Sequence, residues 1–277
     1  PHVYFHSLCR HRALLMSLFH KNILAGASGA AGGASGPLYV DDVFSTYVYD
    51  GTSSTHQITN GIDLSGEGGL VWAKQRGPFS DAHYLYDSER NFTNPIRTND
   101  SSGQLTRSTA SISSFNSDGF TMSSDPTGDI NNSGREYVSW TFRKAPGFFD
   151  VVTYTGNGTA GRTISHSLGS TPGMIMVKRL DTNGNWVCFH RSLGATKYLR
   201  LDTTNAALTH SARWNDTAPT SSVFTVGSAA DVNANGSTYV AYLFAHDDQS
   251  FGTDSDEAII KCGSYTGNTS TNPFIDL

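Results

Sequence analysis

The chain has 277 residues, enough for two domains of ordinary size or one large one. A charged fraction of 16%, with Gly, Ser, Thr and Asn spread between short apolar runs, reads as a turn-rich β protein and not as a helical bundle. The formal net charge of -5 gives no general pull toward nucleic acid or an anionic membrane, and no run nears the roughly 18 apolar residues of a membrane-crossing helix, so neither partner is expected.

Residues 1–15, "PHVYFHSLCRHRALL", are basic, His-rich and unlike the rest, which makes Met16 the expected true start. A signal peptide is the weaker alternative, because His20 and Lys21 interrupt a short apolar stretch. "GASGAAGGASG", from Gly26 to Gly36, is a flexible linker by composition, and residues 1–40 are expected to form a disordered extension.

A pattern that starts at Tyr49 returns at Tyr154. "YDGTSSTHQITNGIDLSGEGGLVWAKQR" lies over "YTGNGTAGRTISHSLGSTPGMIMVKRL", pairing Tyr49 with Tyr154, Ile58 with Ile164, Leu64 with Leu168, Gly69 with Gly173 and Lys74 with Lys178. "HYLYD" then lies over "WVCFH", Phe120 over Phe224, and "INNSGREYVSWTFRK" over "VNANGSTYVAYLFAH". Several blocks in one order at an offset of about 105 residues indicate duplication, with a unit large enough to close its own core.

The expected architecture is all-β: tandem jelly-roll-like sandwiches, repeat 1 over 41–146 and repeat 2 over 147–250. Residues 251–277 read as a linker and the start of a third copy, in which Tyr265 and Gly267 repeat Tyr154 and Gly156; the chain is expected to continue beyond Leu277. In "YVSWTFR", Val138, Trp140 and Phe142 alternate with Ser139, Thr141 and Arg143, the pattern of one buried and one solvated face, and Val240, Tyr242 and Phe244 take the same face in repeat 2. "GLVWAKQ" and "GMIMVKR" read as central strands covered on both sides.

Chemistry-bearing motifs are sparse. Gly156, Gly158 and Gly161 match the G-x-G-x-x-G dinucleotide fingerprint after the strand-like "FDVVTY". The continuation "RTISHSLGSTPG" is β-branched and Gly- and Pro-containing, so the helix that would hold a pyrophosphate is not expected, and the loop reads as a hairpin turn. Cys9, Cys188 and Cys262 lie far apart and outside any CxxC, which suggests neither a disulfide framework nor a zinc site; Cys188 reads as a small buried residue.

No G-x-S-x-G elbow occurs, and no two acids are singled out for glycoside hydrolysis, so no enzyme is expected. His190 with Arg191 is the most suggestive polar pair for a ligand, although repeat 1 carries Asp87 and Ser88 there. Asp247, Asp248, Asp254 and Asp256, with Glu257, group hard oxygen donors of the kind calcium takes, calcium being the one cofactor entertained; a solvated acidic linker is the simpler reading. Trp72, Trp140 and Trp186 lie in strand patterns and read as core, whereas Trp214, in the polar "SARWNDTAP", reads as exposed and open to a ligand.

The opening "MSLFHKNILAGASGAAGG" resembles the start of tail proteins of tailed bacteriophages. The blocks "GGLVWAKQR", "LYDSER", "SFNSDGF", "YVSWTFRKAPGFFDVVTYTGNG", "HSLGSTPGMIMVKR" and "YVAYLFAHD" resemble a tandem domain of unknown function in such virion proteins, often found beside concanavalin-like lectin modules. The likeness runs over about residues 16–277, with fifteen extra residues ahead of the expected start. It implies a virion location, partners among other tail proteins, a homo-oligomer, and adsorption of the repeated domains to host-surface carbohydrate by avidity. The alternatives are a purely structural spacer and a carbohydrate-active enzyme.

Overall fold

The computed structural model describes residues 37–78, 81–124 and 127–266; the expectations placed on residues 1–36, Cys9 and Met16 among them, and on Gly267 onward lie outside the described residues. Among the described residues, α1 (Val40–Val43) is followed by sixteen strands and two more single-turn helices. Repeat 1 supplies β1 (Phe44–Asp50), β2 (His56–Thr59), β3 (Gly69–Gln75), β4 (His83–Asp87), β5 (Ile96–Arg97), β6 (Ile112–Asn116), β7 (Gly119–Met122) and β8 (Glu136–Arg143). Repeat 2 supplies β9 (Phe149–Thr155), β10 (Arg162–Ser165), β11 (Met174–Arg179), β12 (Val187–His190), β13 (Lys197–Tyr198), β14 (Leu208–Thr209), α2 (Ser211–Trp214), β15 (Val223–Val226), α3 (Ala230–Asn233) and β16 (Thr238–Phe244).

The fold is an all-β sandwich, and the two repeats share a topology. The main sheet runs β1-β8-β3-β4-β5 in repeat 1 and β9-β16-β11-β12 in repeat 2; the smaller sheets are β2-β7-β6 and β10-β15, with β13-β14 as an extra pair. Every pairing between these strands is antiparallel. Ile58 lies opposite Phe120 and Ile164 opposite Phe224, so the aligned apolar residues meet in each small sheet.

The repeated Tyr-x-Gly has a physical basis. Tyr49 stacks on Tyr137 with centroids 5.3 Å apart and donates its hydroxyl to the Ile130 carbonyl at 3.0 Å. Tyr154 stacks on Tyr239 at 5.0 Å and donates to the Val232 carbonyl at 2.8 Å. Two residues on, a Cβ at Gly51 would stand 2.2 Å from the Asn132 carbonyl oxygen, and one at Gly156 would stand 2.1 Å from that of Ala234, so only glycine lets the chains approach. A fully buried asparagine ties each loop down. Asn131 accepts from the Thr52 N–H and donates to the Ser54 and Ser123 carbonyls, while Asn233 accepts from the Asn157 N–H and donates to the Thr159 and Gly227 carbonyls.

The loop between β9 and β10 is therefore no phosphate cradle, since Gly161 runs into a strand. It is no hairpin either. β9 pairs with β16 and β10 with β15, so the stretch crosses from the main sheet to the small one.

Each repeat encloses a core between its two sheets: Ile58, Val71, Tyr86, Phe120 and Tyr137 in the first, Ile164, Val177, Phe189, Phe224 and Tyr239 in the second. A third core lies between the repeats, where Leu70, Leu85, Ile96 and the half-buried Phe142 meet Phe149, Met176, Trp186, Tyr242 and Phe244. The main sheets thus use both faces, one inside the repeat and one toward its neighbour. In β8 this reverses the face expected to be the drier. Ser139 and Thr141 are fully buried against the repeat's own small sheet, with Asn60 donating to the Thr141 hydroxyl at 2.9 Å, whereas Val138, Trp140 and Phe142 are only half-buried. Small side chains let the second sheet approach closely; period-two alternation separates two faces without ranking their coverage.

A buried ionic knot fastens the repeats. Arg90 pairs with Asp87 at 2.7 Å, both side chains nearly inaccessible, and donates to the Asn94 carbonyl. Loop contacts add to it: the Trp186 indole donates to the Arg97 carbonyl at 2.9 Å, and the Gln104 N–H to the Leu180 carbonyl at 2.9 Å.

Candidate functional site

The uncovered part of the repeat 1 main sheet is the most distinctive surface of the described residues. Strand register sets Trp72 of β3 opposite Trp140 of β8, and Trp140 opposite the exposed Thr46 of β1. One row further, Lys74 faces Val138 on one side and His83 of β4 on the other, and Val48, 58% exposed, completes that row. Trp72 and Trp140 are both half-buried and meet edge to face, centroids 6.1 Å apart at 75°.

Polar groups fix the indoles. Trp72 Nε1 donates to His83 Nδ1 at 3.1 Å, which requires that nitrogen to be unprotonated and puts the ring proton on Nε2. Burial, then the Lys74 ammonium, pushes the His83 pKa below its ordinary 6.5, so the imidazole is neutral at pH 7. Nε2 has no partner among the described residues and offers a donor beside the indole pair. Lys74 Nζ is turned away to the Asp81 carbonyl at 2.6 Å, and the Asn99 side chain accepts from the His83 N–H at 3.1 Å. Two partly bare indole rings rimmed by a hydroxyl, an imidazole donor and a carboxamide form an amphipathic platform that suits a ring carrying both C–H faces and hydroxyls.

Repeat 2 does not copy it. Met176 and Tyr242 hold the positions of Trp72 and Trp140 and are fully buried in the core between repeats. Lys178, the counterpart of Lys74, is inaccessible, donates to the Gly184 carbonyl and is pushed down to about 8 by burial. Avidity from the same site in both copies is thus ruled out for this face, because the loops of repeat 1 close over it.

The residues singled out from sequence fall elsewhere. Trp214 is not exposed: on α2 it is 1% accessible and packs edge to face on Phe189 at 5.9 Å, its polar neighbours Asn215 and Asp216 forming the turn that ends the helix. Trp186 and Cys188 are core, as their strand patterns suggest. Asp247, Asp248, Asp254 and Asp256 do not converge. Asp247 is held by Lys261 at 3.1 Å, Asp248 accepts from the Ser250 N–H at 3.1 Å, and among the described residues no three His, Cys, Asp or Glu side chains could hold a metal ion. His190 and Arg191 stand at the end of β12 beside His246.

An open groove of about 560 Å³ beside repeat 1 is lined by Leu64, Glu67, Ser88, Glu89, Phe92 and Phe115 among others. It carries two carboxylates, but that of Glu89 is neutralised by Lys144 at 2.9 Å. No helix among the described residues is long and apolar enough to cross a membrane.

Residues 40–276 match the family described as domain of unknown function DUF7483. The chain belongs to the DUF7483 family. The match covers both repeats and their shared core, so in this member the DUF7483 unit is the back-to-back pair of sandwiches and not a single copy. No curated protein and no solved structure matches the chain significantly.

Proposed function

We propose that this DUF7483 chain is a structural component of a tailed-bacteriophage virion, at the tail or a tail fibre, and that its first repeat adsorbs to host-surface glycans without transforming them. The phage setting is supported by the sequence blocks around Met16, "LYDSER" and "YVAYLFAHD". The glycan reading rests on one observation: Trp72 and Trp140 lie half-bare on a sheet face, with the His83 Nε2–H beside them. A pyranose stacks its C–H face on an indole while its hydroxyls reach donors and acceptors at the rim. Such a site is weak alone and gains from several chains presenting it together on one particle. Against paired-carboxylate chemistry stands the groove, where Lys144 occupies Glu89.

The test is a glycan array with the full chain, followed by titration of any hit against Trp140→Ala and Trp72→Ala. Each substitution is expected to lower affinity about tenfold or more, about 1.4 kcal/mol, with folding checked by circular dichroism. A chain that folds and binds no glycan returns the protein to the structural-spacer reading, which the knot between the repeats favours.

A further inference from the structure

Arg191 differs from most of the arginines around it. Arg90, Arg107, Arg135, Arg179 and Arg213 are each held by a carboxylate, whereas Arg191 is exposed and makes no side-chain bond among the described residues. The backbone sets it beside two imidazoles. The Arg191 N–H donates to the Gly173 carbonyl at 2.9 Å, and the Gly173 N–H donates to the Phe244 carbonyl at 2.8 Å, two residues before His246. Met174 lies opposite both His190 and Phe244 in the sheet, and a Cβ on Gly173 would stand 2.6 Å from that of His246. The ends of β12 and β16 therefore converge on the start of β11.

Both rings are held in one tautomer. His190 Nδ1 accepts from the Ser192 N–H at 3.3 Å and His246 Nδ1 from the Cys262 N–H at 3.0 Å, so each keeps its proton on Nε2, where neither has a partner among the described residues. Asp247, the nearby carboxylate, is occupied by Lys261. A guanidinium and two imidazole N–H groups left without an acceptor form a local donor cluster on a chain of net charge -5.

We infer that the corner made by His190, Arg191 and His246 is an oxyanion site that takes a phosphate or carboxylate group, such as the anionic substituent of an acidic surface saccharide. Planar donors in a fork suit a tetrahedral or carboxylate oxyanion, and the one nearby carboxylate, Asp247, is already paired with Lys261. The site is separate from the Trp72 and Trp140 platform and does not depend on it. Repeat 1 has no counterpart, because Asp87 at the position of His190 is spent in the buried knot.

The test follows the His190 and His246 ring resonances of the full chain by NMR during titration with inorganic phosphate, glucose 6-phosphate, glucuronate and glucose. Phosphate, glucose 6-phosphate and glucuronate are expected to shift both rings with saturation, and glucose to leave them unmoved. Tighter binding of the two sugar acids than of inorganic phosphate assigns the site to a substituted saccharide, and equal binding to the free anion. Arg191→Gln is expected to weaken binding about tenfold or more, Arg191→Lys to keep part of it, and Trp140→Ala to leave it intact. Failure of all three anions to shift the rings, or binding unchanged in Arg191→Gln, overturns the inference. Loss of glycan binding in Trp140→Ala with anion binding preserved would leave this site standing on its own.

Discussion

The Tyr242 hydroxyl donates to the Asp87 carboxylate at 2.6 Å, a bond between residues 155 positions apart that joins repeat 2 to repeat 1. Asp87 is 1% exposed, Tyr242 fully buried, and Arg90 supplies the balancing charge. A buried carboxylate next to the phenol raises the Tyr242 pKa well above 10, after burial itself, so the phenol stays protonated and donating.

Cutting into this knot should loosen both repeats together. Arg90→Met leaves Asp87 charged and buried and is expected to cost about 3–5 kcal/mol, Tyr242→Phe about 1–3 kcal/mol. Calorimetry of the parent chain should give one transition, because the core between the repeats must open before either is free. Two resolved transitions in the parent would contradict that coupling.

The two buried asparagines make a matched pair of predictions. Asn131→Ala and Asn233→Ala each strip an acceptor from a loop N–H and donors from two carbonyls. Each is expected to destabilise by about 2–4 kcal/mol in urea unfolding, with similar values for the two sites. A large cost at one and none at the other would show that the repeats do not use the residue alike.

Acid should weaken the fold before its carboxylates titrate. Burial is the leading cause that lowers the pKa of His83 and of His166 from 6.5. For a base whose folded-state value is depressed, the stabilising effect is complete above about pH 6.5 and is lost as pH falls toward the lower folded value, since the unfolded chain takes up the proton first. Protonated His83 can no longer accept from Trp72, so intrinsic fluorescence should change in the same range. Urea midpoints measured from pH 7.5 to 5 should fall, and His83→Gln should flatten part of the slope; a midpoint flat over that range would refute the assignment.

The duplication was legible because it is written in residues with no substitute: the stacked Tyr49 and Tyr154, the close-approach Gly51 and Gly156, the inward Ile58 and Ile164. The core between repeats was legible only in part: the apolar run around Met176 marks a strand covered on both sides, but sequence does not say that the other repeat is what covers the second face. The same gap misplaced the tryptophans. Trp214 has polar neighbours yet fills the second core, while Trp72 and Trp140 sit in apolar strands whose outer face is partly bare. His83 carried no motif at all; only the pairing of β3 with β4 sets it next to Trp72, and that register depends on a connecting loop that the sequence does not fix.

Because the outer face of the repeat 2 main sheet is covered by repeat 1, the second copy depends on the first for its stability. A lone copy would turn the side bearing Phe149, Met176, Tyr242 and Phe244 to water, a sticky plane fit for aggregation and not for display. The first copy is thus also what keeps the second in solution, and a truncated chain carrying repeat 2 alone is expected to aggregate.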